Sequence, residues 1–197
     1  MVELDFDDCR VPEKNLVGGK EGRGFGNAMS TLDRARPCVA AQAVGLAQGA
    51  FELAMEWTRK REQFGAPISN NQAIQFMLAD MATQIEAARR LVYHAAAMVD
   101  AGAKNFSKYS AMCKVFATDT AMKVTTDAVQ LFGGYGFMKD YPIEKYMRDA
   151  KITQIYEGTN QVQRIVISRA IIREAASWDW DHVWPPGTGP EAKSGRP

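Results

Sequence analysis

Apolar residues recur at spacings of three and four along most of the chain, so helices are the predicted elements. A long helix is expected from Pro37 to about Lys60, with Ala40, Val44, Ala47, Phe51 and Ala54 on one stripe and Leu46, Leu53 and Trp57 widening it. Phe25 to Leu32 predicts a short helix before it, interrupted at Arg36-Pro37, because a residue before proline is pushed out of helical geometry. Phe64-Gly65-Ala66-Pro67 breaks the pattern, which resumes from about Asn71 to Asp100 through Ile74, Leu78, Met81, Ile85, Ala88, Val92, Ala95 and Val99. A third helix, about Phe106 to Phe132, carries Ala111, Val115, Thr118, Met122, Thr125, Val129 and Phe132, and stops at Gly133-Gly134. Pro142 to Lys151 predicts a shorter helix, and Thr159 to about Glu174 a fourth main one with Val162, Ile165, Val166 and Ala170 on one side. Short links between long amphipathic helices favour antiparallel neighbours, so the fold class is all-α, an up-and-down four-helix bundle.

The ends depart from this pattern. Val2, Leu4 and Phe6 alternate with Glu3 and Asp5, the period of a half-buried strand. Five residues cannot make a sheet, so this strand is expected to belong to one whose other members lie elsewhere. Gly22, Gly24 and Gly26 echo a dinucleotide fingerprint, but the βαβ unit that would make them a pyrophosphate cradle is missing. The expected organisation is a strand and linker remnant of a missing β-domain (1–24), a helical bundle (25–176) and a Trp/Pro/Gly-rich tail (177–197). In that tail Trp178, Trp180 and Trp184 should pack on the bundle or a partner, and the last dozen residues should be disordered.

Composition narrows the function. With 197 residues, 46% of them hydrophobic, the chain can bury a core. Its 24 basic and 23 acidic residues leave a net charge of +1 with no long single-sign block, which argues against a nucleic-acid or membrane-surface partner. No apolar run reads as long enough to span a bilayer. Cys9, Cys38 and Cys113 show no metal or disulfide spacing, and neither His94 nor His182 has ligand neighbours, so no metal site is expected. The acidic start, MVELDFDDCR, lacks the features of a signal or transit peptide; a cytoplasmic location is expected, with the mitochondrial matrix as the alternative.

The candidate chemistry lies in Ile152 to Gln163, ITQIYEGTNQVQ. Thr159 is a helix cap by type and position, which puts Glu157 on a turn. Gly158 leaves the backbone beside that carboxylate open to another molecule, while Tyr156 and Ile155 offer apolar cover that would partly dehydrate it. A carboxylate so placed can serve as a base. One acidic residue in a turn is no site by itself, however, and its neighbours decide.

Five separated stretches agree with one family. LDRARPCVAAQAVGLAQGA, RKREQFGAPISNNQAIQFMLADMA, DAVQLFGGYGF, YPIEKYMRDAKI and IYEGTNQVQRIVISRAI together resemble the C-terminal helical domain of the flavin-dependent acyl-CoA dehydrogenases, up to about Arg173. DFDDCRVPEKNLVG resembles the strand leading out of that family's β-domain. The resemblance implies that Glu157 is the base that removes the α-proton of an acyl-CoA thioester while the β-hydrogen leaves as hydride to FAD. It implies FAD contacts for Arg61, Gln63, Phe64, Gln72, Gln130, Gly133, Gly134, Thr159 and Gln161, those of the Arg61 and Gly133 regions reaching the FAD of a neighbouring subunit. It places Asp33, Arg36, Tyr156 and Gly158 near the thioester. Some relatives carry the base just before the position of Arg36; that place here is Ala35, which leaves Glu157 as the candidate.

The implied partners are an acyl-CoA substrate, an electron-transfer flavoprotein, and a second copy of the chain (dimer or tetramer) or a chain supplying the missing domains. Full members of the family have two further domains, so this chain alone is expected to be inactive. The alternatives are an acyl-CoA oxidase-type relative and a non-catalytic helical assembly subunit.

Overall fold

A computed structural model describes residues 2–179; the tail from Trp180 onward, with His182 and Trp184, lies outside the described residues. Five helices carry the fold: α1 (Gly24–Lys60), α2 (Gln72–Asp100), α3 (Phe106–Phe132), α4 (Ile143–Thr153) and α5 (Asn160–Ala175). Between α1 and α2 a tight hairpin pairs β1 (Glu62–Gln63) with β2 (Ala66–Pro67). Phe64 and Gly65 turn that hairpin with φ of 54° and 80°. The sequence marked this stretch only as a helix break, but two consecutive left-handed residues suit a two-residue β-turn.

The core lies between α1, α2 and α3, with α3 central and packed most extensively on α1. The contact between α1 and α3 is made of small residues. Ala40, Ala43, Ala47, Ala50 and Ala54 face Ala117, Ala121, Val124 and Ala128, all with no exposed surface. Side chains this short let the helix backbones approach closely, so the core gains density from interlocking small groups. The α2 stripe is buried as its spacing predicts, through Leu78, Met81, Ile85, Ala88, Val92 and Ala95.

The structure corrects the sequence reading at four places. The short helix at Phe25–Leu32 and the long one after Pro37 are a single helix, with Pro37 in its interior. A proline there costs about 3 kcal/mol. Here Arg36, Pro37, Val39 and Ala40 are all buried, and that packing overrides the local break. On α3 the buried set extends to Ser110, Lys114, Thr120 and Ala128, beyond one stripe, because neighbours cover it on several sides. On α5 the predicted apolar side is open, with Val162 and Ile165 nearly half exposed, and the buried residues are Asn160 and Gln163. At the N-terminus Val2, Leu4 and Phe6 are exposed and form no strand, since the chain offers them no partner among the described residues.

Helix α1 is long and apolar enough, by length and composition, to cross a bilayer, contrary to the sequence reading. Its apolar side is the inside of the bundle.

Candidate active site

Helix α4 ends at Thr153 and α5 begins at Asn160, so Glu157 lies on the crossover between them. Thr159 caps α5 as its type predicts, its Oγ1 accepting from the backbone N–H of Val162 at 3.3 Å. Glu157 has φ 53° and Gly158 φ 88°. Left-handed backbone is routine for glycine but strained for glutamate, and strain of this kind persists only where the surroundings hold it.

Two side chains do the holding. Gln163 Nε2 donates to the carbonyls of Glu157 (3.2 Å) and Gly158 (3.0 Å). Lys114 Nζ, from α3, donates to the Gly158 carbonyl at 3.0 Å and to Asn160 Oδ1 at 2.8 Å. Asn160 in turn donates from Nδ2 to Thr118 Oγ1 (2.8 Å) and Asp119 Oδ1 (2.7 Å). Asp119 also accepts from Gln154 Nε2 at 2.6 Å and from Arg164 Nη2 at 2.7 Å. The crossover is therefore clamped to α3 by polar groups at both of its ends.

The peptide bonds are trans, so a carbonyl turned inward leaves the N–H of the same peptide turned outward. Gly158 and Thr159 present their N–H groups away from the clamp. These two amides, and that of Glu157, make no hydrogen bond within the described residues. Glu157 Oε2 is buried and likewise without a partner there. Unpaired buried polar groups are uncommon in folded chains, and each calls for a physical explanation; Arg36 Nε, Trp57 Nε1, Ser110 Oγ and Gln163 Oε1 share this state.

Tyr156 donates its hydroxyl to Gln42 Oε1 across to α1. Burial and the neighbouring Glu157 carboxylate raise its pKa, and the contact with Gln42 opposes them. Ile155, expected as apolar cover for the carboxylate, is instead nearly half exposed. Arg36 is buried on α1 and pairs with Asp33, while its Nε has no partner. Burial brings the Lys114 pKa down to about 8; Asp119 and Glu157 act to raise it and Arg36 to lower it.

A second cluster lies at the hairpin. Arg61, Gln63, Gln130, Gly133 and Gly134 line one cleft of about 560 Å³, with Trp57, Phe132 and Tyr135 among its walls. Trp57 stacks on Phe132 at 4.6 Å between ring centroids, and the Arg61 guanidinium lies 5.6 Å from the centre of the Tyr135 ring. Gly133, at φ 63°, ends α3, and both glycines border open space. Phe64, Gln72 and Gln161 are exposed and do not line this cleft.

The sequence reading missed Lys114, Asn160, Gln163, Asp119 and Gln42. Lys114 left one signal: a lysine inside the small and apolar run Ser110 to Thr118, on a helix otherwise suited to burial. The two buried amides left none, because Asn and Gln near a helix start are ordinary surface residues.

Residues 22–172 match the family described as acyl-CoA dehydrogenase, C-terminal domain, and the chain belongs to that family. It is 57% identical over 172 residues to the probable acyl-CoA dehydrogenase FadE25 of Mycobacterium tuberculosis, covering 87% of this chain and 44% of that one. Butyryl-CoA dehydrogenase from Megasphaera elsdenii superimposes with a TM-score of 0.77 at 55% identity, over 79% of this chain and 40% of the other. A chain in a structure described as electron transferring flavoprotein of Acidaminococcus fermentans gives a TM-score of 0.82 at 64% identity, over 85% and 44%. The chain thus spans under half the length of the relatives it matches.

The residues present fit the flavin dinucleotide that the family implies. Arg61 supplies a fixed positive charge beside an open glycine rim, a combination suited to a pyrophosphate. The free amides and the orphaned carboxylate oxygen of the Glu157 turn are suited to a small polar group such as a thioester.

Proposed function

We propose that this chain is the C-terminal bundle of an FAD-dependent acyl-CoA dehydrogenase and that Glu157 is the base for α,β-dehydrogenation. The observation that carries this reading is the Glu157 turn itself: a strained left-handed glutamate with one buried, unpartnered carboxylate oxygen and three free amides beside it. In the complete protein the Glu157 carboxylate takes the α-proton of an acyl-CoA thioester. The Glu157 amide donates to the thioester carbonyl, where negative charge develops as that proton leaves. Bound FAD supplies the acceptor for the β-hydrogen, which departs with its electron pair, so the thioester gains a double bond and the flavin two electrons.

Under this reading Tyr156 and Gly158 border the thioester, with Asp33 and Arg36 close to it. Thr159 and Gln161, just beyond the base, would supply further flavin contacts. Arg61, Gln63, Phe64, Gln72, Gln130, Gly133 and Gly134 serve that of a neighbouring copy, which makes the enzyme an oligomer. Electrons then pass to an electron-transfer flavoprotein, in the cytoplasm.

Glu157→Gln in the full-length protein tests the assignment. Acyl-CoA-dependent flavin bleaching should slow at least about 100-fold, the lower range for loss of a general base, with flavin content unchanged. Retained turnover would move the base elsewhere.

A further inference from the structure

Lys114 is completely buried, and its ammonium forms no ion pair with a carboxylate among the described residues. A cation shut away from water and matched only by a carbonyl and an amide oxygen is a poor device for stability; an apolar side chain of similar length would fill the space at lower cost. What the ammonium reaches is the turn of the base. It lies 3.0 Å from the Gly158 carbonyl, on the residue after Glu157. Asn160 cannot rotate its oxygen away, because its amide nitrogen is committed to Thr118 and Asp119. Gln163 takes the Glu157 and Gly158 carbonyls from the same side.

We propose that Lys114 is a positioning residue for the proton-abstraction step: its buried positive charge holds the Gly158 carbonyl inward and so aims the Glu157 carboxylate and the neighbouring amides at the substrate. This rests on the reading of Glu157 as the base. A glutamate at φ 53° persists where the peptides after it are anchored: Gln163 holds the Glu157 carbonyl, and Lys114 and Gln163 together hold the Gly158 carbonyl one peptide further on. Charge strengthens the anchor, since a hydrogen bond from an ammonium is roughly twice as strong as one from a neutral amide. The groups facing Lys114 share the arrangement: Asp119 and Glu157 attract it, Arg36 repels it.

The test uses the full-length, flavin-loaded enzyme with Lys114→Met, which removes the donor and the charge, and Lys114→Gln, which keeps a neutral donor. Flavin content, thermal midpoint, KM for the acyl-CoA and the rate of flavin reduction at saturation are measured. We expect Lys114→Met to slow reduction at least about 10-fold with KM within about two-fold and flavin retained, and Lys114→Gln to recover part of the loss. If Lys114→Met does not fold, Lys114→Gln alone is read, and a slowed reduction at unchanged KM again supports the proposal. Wild-type reduction rates in a folded variant overturn it. So does a loss of flavin or a parallel rise in KM in both variants, which would assign Lys114 to holding the cofactor or the fold. Glu157→Gln separates this failure from failure of the base: if that variant still turns over, the base assignment falls whatever Lys114 does.

Discussion

At the scale of single residues, Gly158 is fixed by two demands at once. Its φ of 88° disfavours a side chain, and a Cβ there would lie 2.5 Å from Gln163 Nε2. The glycine makes room for the clamp behind the turn, not only for a molecule in front of it. Gly158→Ala should therefore destabilise by about 1–3 kcal/mol and displace Gln163; denaturant unfolding measures the first, and a variant as stable as wild type would refute it. Lys114 gives a pH signature. Its folded pKa is about 8 against the ordinary lysine value of 10.5, so between those values the unfolded chain binds the extra proton. Stability then rises with pH across that window, while below pH 8 the penalty for burying the charge is present in full. The unfolding free energy of the full-length protein, taken relative to Lys114→Met, should climb from pH 8 to 10.5; a flat difference would show that the ammonium is not desolvated.

At the scale of elements, the alanine contact between α1 and α3 sets where the crossover can sit, since Lys114 and Thr118 reach it from α3. Ala121→Leu should overpack that contact and cost about 1–3 kcal/mol, lowering the melting temperature. Gly49→Ala acts at the crossing of α1 and α4, where a Cβ would lie 2.8 Å from the Tyr146 ring. It should also destabilise, and an unchanged melting temperature in both variants would mean that the helices are freer to shift than their packing implies. The thread from α1 to the Glu157 turn is Tyr156, tied to Gln42. Legibility differed among the elements for physical reasons. Helix α2 was read closely because one side is buried and one is not, so period and burial coincide. Helix α3 was read in extent and on one of its sides, with Ala111, Thr118, Thr125 and Phe132 buried as expected, but a helix covered on several sides buries more than one stripe. Helix α5 was read on the wrong face, because the residues that bury there are the polar pair Asn160 and Gln163.

At the scale of the whole molecule, the two candidate clusters lie on different elements: Glu157 between α4 and α5, and Arg61 with Gly133 where α1 and α3 end. If the hairpin cleft serves a neighbouring copy's flavin, subunits can complement one another. Full-length Arg61→Ala keeps the base, and full-length Glu157→Gln keeps the guanidinium. Mixed and reassembled, the two impaired proteins should reduce flavin with acyl-CoA faster than either does alone, through sites built from one good half of each. Mixtures that gain nothing, with hetero-oligomers confirmed by mass, would assign both clusters of a single chain to the same flavin.

The sequence by itself determined most of the helical stretches, the Thr159 cap and the position of Glu157 on a turn, because periodicity, glycine and threonine act over a few residues and need no distant partner. Arg61, Gln63, Gln130, Gly133 and Gly134 became candidates only through the resemblance of five separated stretches to one family, since taken one by one they read as a helix-end cation, surface amides and a helix stop. The joining of α1 through Pro37, the further buried sides of α3, the facing of α5, and the lysine and amides behind the Glu157 turn were decided only by tertiary structure. Each depends on what a side chain meets from another helix: Pro37 is held by buried neighbours, and Lys114 finds the Gly158 carbonyl 44 residues further along the chain. A hydrogen bond across that separation leaves no periodic mark in the text.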